Sequence, residues 1–132
     1  MVVYCDTSAL VKLIVDEPQS GDLDAWLAGL AEPVLATSII ARTEVVRAVR
    51  RHGTAAVEEA LRLLDEISVV DLDEDLARSA ADLEPESLRS LDALHVATAQ
   101  RIAPTLAALV TYDKRMIDAA RAVGLTVHHP GA

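Results

Sequence analysis

Short runs of apolar, often β-branched residues alternate along this chain with longer stretches of helical periodicity. Val2–Cys5 is a continuous apolar run of the kind a strand covered on both faces requires. Val34–Thr37, Ile67–Leu72, Ala108–Thr111 and the short Thr126–His128 repeat the pattern. Between them the polar punctuation marks helices. Asp6-Thr7-Ser8 opens a helix from Ala9 to about Val15, which Asp16-Glu17-Pro18 closes. A second runs from about Ser20 to Leu30, with Leu23, Trp26, Leu27 and Leu30 on one face. Ser38 caps a long helix ending near His52-Gly53, and Thr54 starts another through Leu64. Asp73 caps a helix to Asp82, Ser90 caps one from Leu91 to about Ile102, and Lys114–Val123 forms the last, with Gly124 just past its end.

Strands separated by helices imply parallel pairing through crossover connections, with helices on both faces of the sheet. The expectation is a single α/β domain over 1–132, a three-layer α/β/α sandwich around a mainly parallel sheet. Its 132 residues are enough to bury a core, and a hydrophobic fraction of 52% with only 2% aromatic assigns that core to Leu, Val, Ile and Ala. The lone Cys5 sits inside a strand and reads as a small buried hydrophobe. No apolar stretch approaches about 18 residues, so no membrane span is expected. The first strand follows directly on Met1, which predicts a cytoplasmic protein without a signal peptide.

Charge changes the picture. A net −9 argues against tight, indiscriminate binding to duplex nucleic acid, because phosphate affinity comes from Lys and Arg. The cations are nevertheless concentrated: Arg42, Arg47, Arg50, Arg51 and His52 fall between positions 42 and 52. Among the acids, Asp6 and Asp113 follow apolar strands, and Glu44 and Asp92 lie on helical segments. In an open α/β sheet, ligands bind beyond the carboxyl ends of the strands, which directs Asp6 and Asp113 to one crevice. Carboxylates crowded there need a hard cation, and oxygen-only ligation suits magnesium or manganese. The leading expectation is a metal-dependent phosphodiester site.

Each acid also has a plainer reading. Asp6 and Asp113 suit helix caps, and Asp92 suits the first turn of a helix, where the dipole favours an anion. Glu44, Arg47 and Arg51 share a helix face at i, i+3 and i+7 and could form a solvated ion-pair ladder. Thr7, Ser8 and Thr111 are either turn residues or hydroxyls that fix carboxylate rotamers. His95, three residues after Asp92, reads as a helix-packing histidine in reach of the same rim. His128 and His129 face opposite ways on an extended segment, and Asp71, Asp73, Glu74 and Asp75 read as a solvated cap and first turn. Trp26 is a core residue or a partner-facing anchor.

Four segments, Val3–Leu10, Thr43–Ala48, Leu91–Ala99 and Val110–Arg115, together with Ala120–Leu125, resemble the PIN-domain ribonucleases, and most of all the VapC toxins of VapBC toxin–antitoxin modules. The resemblance extends in order and spacing over nearly the whole chain. It implies a magnesium-dependent endoribonuclease with Asp6, Glu44, Asp92 and Asp113 as catalytic, metal-holding acids, supported by Thr7 or Ser8 and by Thr111. It also implies a VapB-type antitoxin, a homodimer and a structured RNA substrate such as transfer or ribosomal RNA. Arg47 and Arg51 are the expected RNA-binding cations.

Two rival classes make different demands on the residues. A receiver-like magnesium-binding regulatory module would use Asp71, after the third strand, as phosphoacceptor, and wants an acidic pair where only Asp6 stands. A haloacid-dehalogenase-like phosphatase wants a second Asp two residues after the first, where Ser8 stands.

Overall fold

The computed structural model describes residues 1–132 and places all five strands in one parallel sheet of order β3-β2-β1-β4-β5. The strands are β1 (Val2–Cys5), β2 (Val34–Ser38), β3 (Ser68–Val70), β4 (Leu106–Val110) and β5 (Val127–His128). The helices are α1 (Thr7–Lys12), α2 (Ser20–Ala28), α3 (Ile40–Val49), α4 (Thr54–Glu66), α5 (Glu74–Ala81), α6 (Ser90–Arg101) and α7 (Lys114–Ala122). Short 3-10 turns follow α3 at Arg50–His52 and precede β4 at Ala103–Thr105.

β1 is the centre of the sheet because all but its first residue is buried, and both its edges are paired. Its period-2 alternation feeds two cores. Val3 and Cys5 pack with Leu10, Leu23, Val45, Val49 and Leu64 beneath α1–α4. Tyr4 packs on the other face with Val96, Leu109 and Met116 beneath α6 and α7, and α5 closes that layer through Leu76 and Ala80 against Ala93 and Ala97 of α6. The expected three-layer sandwich is the observed one. The chain builds outward from β1 through β2 to β3, then returns to β1's other edge with β4. That reversal opens a crevice between the carboxyl ends of β1 and β4.

Element ends differ from the periodicity in instructive places. α1 stops at Lys12, short of Val15, because the Ser20 hydroxyl reaches back to the carbonyls of Lys12 (2.7 Å) and Val15 (3.1 Å) and accepts from the Glu17 N–H (2.9 Å). Those contacts satisfy carbonyls a longer helix would have used. β3 spans only three residues, as an edge strand paired on one side. Arg89 occupies the cap position of α6, with Ser90 as its first residue and no side-chain cap. Gly124 follows α7 at φ +84°, the left-handed position glycine takes most readily. The apolar surplus of α1 and α2 serves the core: Leu10 and Leu23 are fully buried, and Leu13, Ile14, Trp26, Leu27 and Leu30 pack against them. No helix is long and apolar enough to cross a membrane.

Candidate active site

Asp6 leaves the end of β1 and caps α1. Its Oδ1 accepts from the Ala9 N–H (3.0 Å) and the Ser8 hydroxyl (2.7 Å), and its Oδ2 accepts from the Thr111 hydroxyl (2.6 Å). Asp113 caps α7 in the same manner, accepting from the Met116 N–H (3.0 Å). The cap and site readings are compatible here, because both strand-to-helix turns open into one cleft. Asp6, Glu44, Asp92 and Asp113 all line it, with Thr7, Ser8, Lys12, Arg51 and His95. The cleft measures about 440 Å³, room for a hydrated cation and a phosphate group.

The hydroxyls are ordered by this network. Thr111 also accepts from the Asp113 N–H (3.1 Å), and Ser8 from the Tyr112 N–H (3.0 Å), so two hydroxyls tie the loop after β4 to the loop after β1. Thr7 donates to Glu44 Oε1 (2.7 Å). All three hydroxyls hydrogen-bond carboxylates, and Ser8 and Thr111 serve turns as well.

Two acids are held above the ordinary carboxylate range, one of them by crowding. Burial raises the pKa of Asp6, although the His95 ring and the bonds from Thr111, Ser8 and Ala9 work against the rise. Burial also raises Asp92, and the charges of Asp113, Asp6 and Glu44 add to it. Glu44 goes the other way: burial pushes it up, but hydrogen bonds from His95 and Thr7 outweigh that and leave it below the ordinary range. Glu44 therefore does not belong to an ion-pair ladder with Arg47 and Arg51. Its partners are His95 Nε2 at 2.8 Å and Thr7.

His95 is the residue that sequence reasoning undervalued. It is buried and packs in α6 as expected, yet both ring nitrogens bond: Nδ1 with the Tyr4 hydroxyl at 2.7 Å and Nε2 with Glu44. Lys12 was missed altogether. It lines the cleft, pairs with Glu17 (3.2 Å) and lies over the Tyr112 ring (4.6 Å). Arg51 lines the cleft and pairs with no carboxylate, whereas Arg47 is exposed on α3 and does not line it. Trp26 is half-buried and packs its ring against His128 (5.1 Å between centroids), away from the cleft. Asp73 caps α5 and pairs with Arg101, as a solvated cap should.

The donor set fits a hard cation in one specific way. Every anionic group is a carboxylate, and mutual repulsion is what a divalent ion would relieve. No three acid, histidine or cysteine side chains are drawn together into a complete cage.

The sequence profile of the PIN domain matches residues 3–122. The chain belongs to the PIN-domain family. Within it, the chain falls among the VapC ribonucleases. It is 42% identical to Ribonuclease VapC47 of Mycobacterium tuberculosis (strain CDC 1551 / Oshkosh) over 99% of this chain and 98% of that one. Ribonuclease VapC46 of strain ATCC 25618 / H37Rv is 41% identical, with 97% of each chain covered. Among solved structures, Mycobacterium tuberculosis VapC20, described as a Sarcin-Ricin loop cleaving toxin, superposes with a TM-score of 0.75 at 21% identity, covering 97% of this chain and 99% of that one. VapBC2 from Rickettsia felis, bound to a DNA fragment from its promoter, gives 0.69 at 20% identity, covering 98% and 99%. These two establish the PIN fold.

The receiver reading loses its acceptor in this PIN domain. Asp71 leaves the edge strand β3, is exposed, and lies outside the cleft that gathers the other acids.

Proposed function

We propose that this PIN domain is a divalent-metal-dependent endoribonuclease that hydrolyses phosphodiester bonds of a structured RNA, as the toxin of a toxin–antitoxin pair. One observation carries the catalytic part: four acids from four separate elements open into a single cleft in a chain whose 41–43% identical relatives are named ribonucleases. Asp6, Asp92, Glu44 and Asp113 would hold the cation, with Asp6 and Asp92 its principal ligands. A bound magnesium or manganese ion supplies Lewis-acid polarisation of a phosphoryl oxygen and a water of lowered pKa. The chain's own residues do the rest. Thr111, Ser8 and the Ala9 N–H hold Asp6 in one rotamer, and Thr7 and His95 hold Glu44. Lys12 and Arg51 offer the cleft its positive charge and would receive the phosphates flanking the scissile bond.

The deciding experiment incubates the purified chain with transfer and ribosomal RNA in magnesium, in manganese and in chelator. Internal cleavage in either metal and none in chelator is the expected outcome. Cleavage that persists in chelator contradicts the metal, and a folded chain inert in both metals contradicts the nuclease. Labelling of Asp71 or Asp6 by an acyl-phosphate donor would restore a rival class.

The two arginines separate in this proposal. Arg51→Ala is expected to weaken RNA binding and to flatten the dependence of log K on log salt by roughly 0.7 to 0.9, the contribution of one phosphate contact. Arg47→Ala should leave that slope where it was. Equal slopes for both variants would remove Arg51 from the RNA path.

Restraint of such an enzyme falls to an antitoxin of the VapB type. Support comes from similar folds solved as complexes, among them a toxin–antitoxin complex from Klebsiella pneumoniae (TM-score 0.65, 22% identity). A homodimer is part of the same proposal, and light scattering of the isolated chain measures it directly.

A further inference from the structure

A buried polar chain crosses the core from the centre of the sheet to the acidic cleft. Tyr4 and His95 lie ninety-one residues apart and are both inaccessible to solvent or nearly so. The phenol and Nδ1 are 2.7 Å apart, and the rings meet edge-to-face at 74°. Nε2 then reaches Glu44 Oε1 at 2.8 Å.

The direction of these bonds follows from what surrounds the two rings. The hydroxyls of Thr37 and Thr98 lie beside the phenol, but their hydrogens already go to the carbonyls of Cys5 (2.7 Å) and Leu94 (2.6 Å). Either could accept from Tyr4, so the direction is decided at the other end of the imidazole ring, where the Glu44 carboxylate can only accept and Nε2 must donate. A phenol keeps its hydrogen at neutral pH. A neutral ring that donates at Nε2 accepts at Nδ1, and the phenol 2.7 Å away supplies that hydrogen.

We propose that Tyr4 and His95 form a positioning relay that presents Glu44 to the bound cation through a single oxygen. Tyr4 fixes His95 as the Nε2–H tautomer, and that N–H, together with the Thr7 hydroxyl at 2.7 Å, occupies both lone-pair directions of Oε1. Oε2 is left as the free ligand atom. A histidine retained only for its volume would need neither bond. This relay rests on the metal-dependent reading of the cleft, and it makes His95 and Tyr4 positioning residues that never touch substrate.

Two measurements test it. The first uses metal-free protein: the long-range proton–nitrogen NMR spectrum of the His95 ring at neutral pH should show the Nε2–H tautomer. In Tyr4→Phe, which keeps the ring and loses the hydroxyl, that single pattern should give way to a mixture. An Nδ1–H or doubly protonated ring in the wild type, or an unaltered pattern in Tyr4→Phe, would overturn the relay.

The second uses Mn2+ alone, with affinity read from the electron paramagnetic resonance of the free ion. The side-chain nitrogen of Gln reaches about as far as Nε2, whereas Asn reaches only as far as Nδ1. His95→Asn and Tyr4→Phe are expected to weaken Mn2+ binding about tenfold, and His95→Gln to recover most of it. Equal affinities for the Asn and Gln variants would mean a merely structural histidine and would sink the proposal. A wild-type chain that binds no Mn2+ would overturn the metal reading itself, and the tautomer spectrum would still decide whether Tyr4 orients His95.

Discussion

Asp92→Asn should abolish RNA cleavage and, in chelator at neutral pH, melt at a higher temperature than the wild type. The first effect comes from removing a charge that, in the proposed site, would hold a hard cation. If the ion contributes several kcal/mol of transition-state stabilisation, the rate falls by roughly a thousandfold or more. The second comes from what the charge does without the ion. Burial and the neighbouring charges of Asp113, Asp6 and Glu44 raise the folded-state pKa of Asp92 above its ordinary 3.8. The folded protein thus binds this proton more tightly than the unfolded chain. Its stability falls as pH rises from the unfolded pKa to the folded one, and stays lowered at neutral pH. Asn removes that loss. The group is only partly buried, so the gain should be a few degrees at most. Magnesium should reverse the order, since ligand at 100 times its Kd stabilises the wild type by about 2.7 kcal/mol and leaves the variant unmoved. Thermal melts with and without magnesium, run beside a cleavage assay, read all three effects. A lower melting temperature for the metal-free variant, or unimpaired cleavage, would contradict the crowded-acid account.

Asp6 is expected to behave differently, because it is both a charge and a structural hub. Asp6→Ala strands the Ala9 N–H and removes the acceptor for the Ser8 and Thr111 hydroxyls in a buried setting. Loss of the cap costs about 1 kcal/mol, and unsatisfied buried donors add about 1 to 3. Against a typical total of about 5 to 15 kcal/mol this is a large fraction, so an inactive Ala variant would leave folding and chemistry confounded. Asp6→Asn keeps Oδ1 for Ser8 and Ala9 and turns its amide toward Thr111, whose hydroxyl reverses. It should lose activity as completely while losing less than about 1.5 kcal/mol of stability. Urea midpoints of the two variants are the measurement. Matching midpoints would show that the hydroxyl network is not organised through Asp6.

The strands and the acids were legible for the same reason. Val2–Cys5 and Ala108–Thr111 are too short and too apolar to be anything but covered strands, and the turn after such a strand has only one rim to occupy. What stayed hidden turns on geometry within helices. α6 is buried on most of its surface, from Ala93 through Ala99, so no polar face tells a packing His95 from a working one. Arg47 and Arg51 look equivalent at i+3 and i+7 from Glu44. At 3.6 residues per turn, however, Arg47 swings about 60° off the Glu44 line, while Arg51 lies beyond α3 in the 3-10 turn and lines the cleft. The cap and site readings of Asp6 and Asp113 could not be separated in the sequence because the side chains serve both roles at once. Lys12 gave no signal of its own, since the turn that carries it toward the cleft is set by the distant Ser20 hydroxyl.

The bond from the Thr111 hydroxyl to Asp6 spans 105 positions, and it has a consequence in time. Translation proceeds at about 5 to 20 residues per second, so the first acid waits roughly 5 to 20 s before the strand that completes its surroundings has been made. Until then β1 has no β4 to pair with, and the cleft has only one wall. A nascent chain that ends short of Asp113 therefore lacks the assembled site.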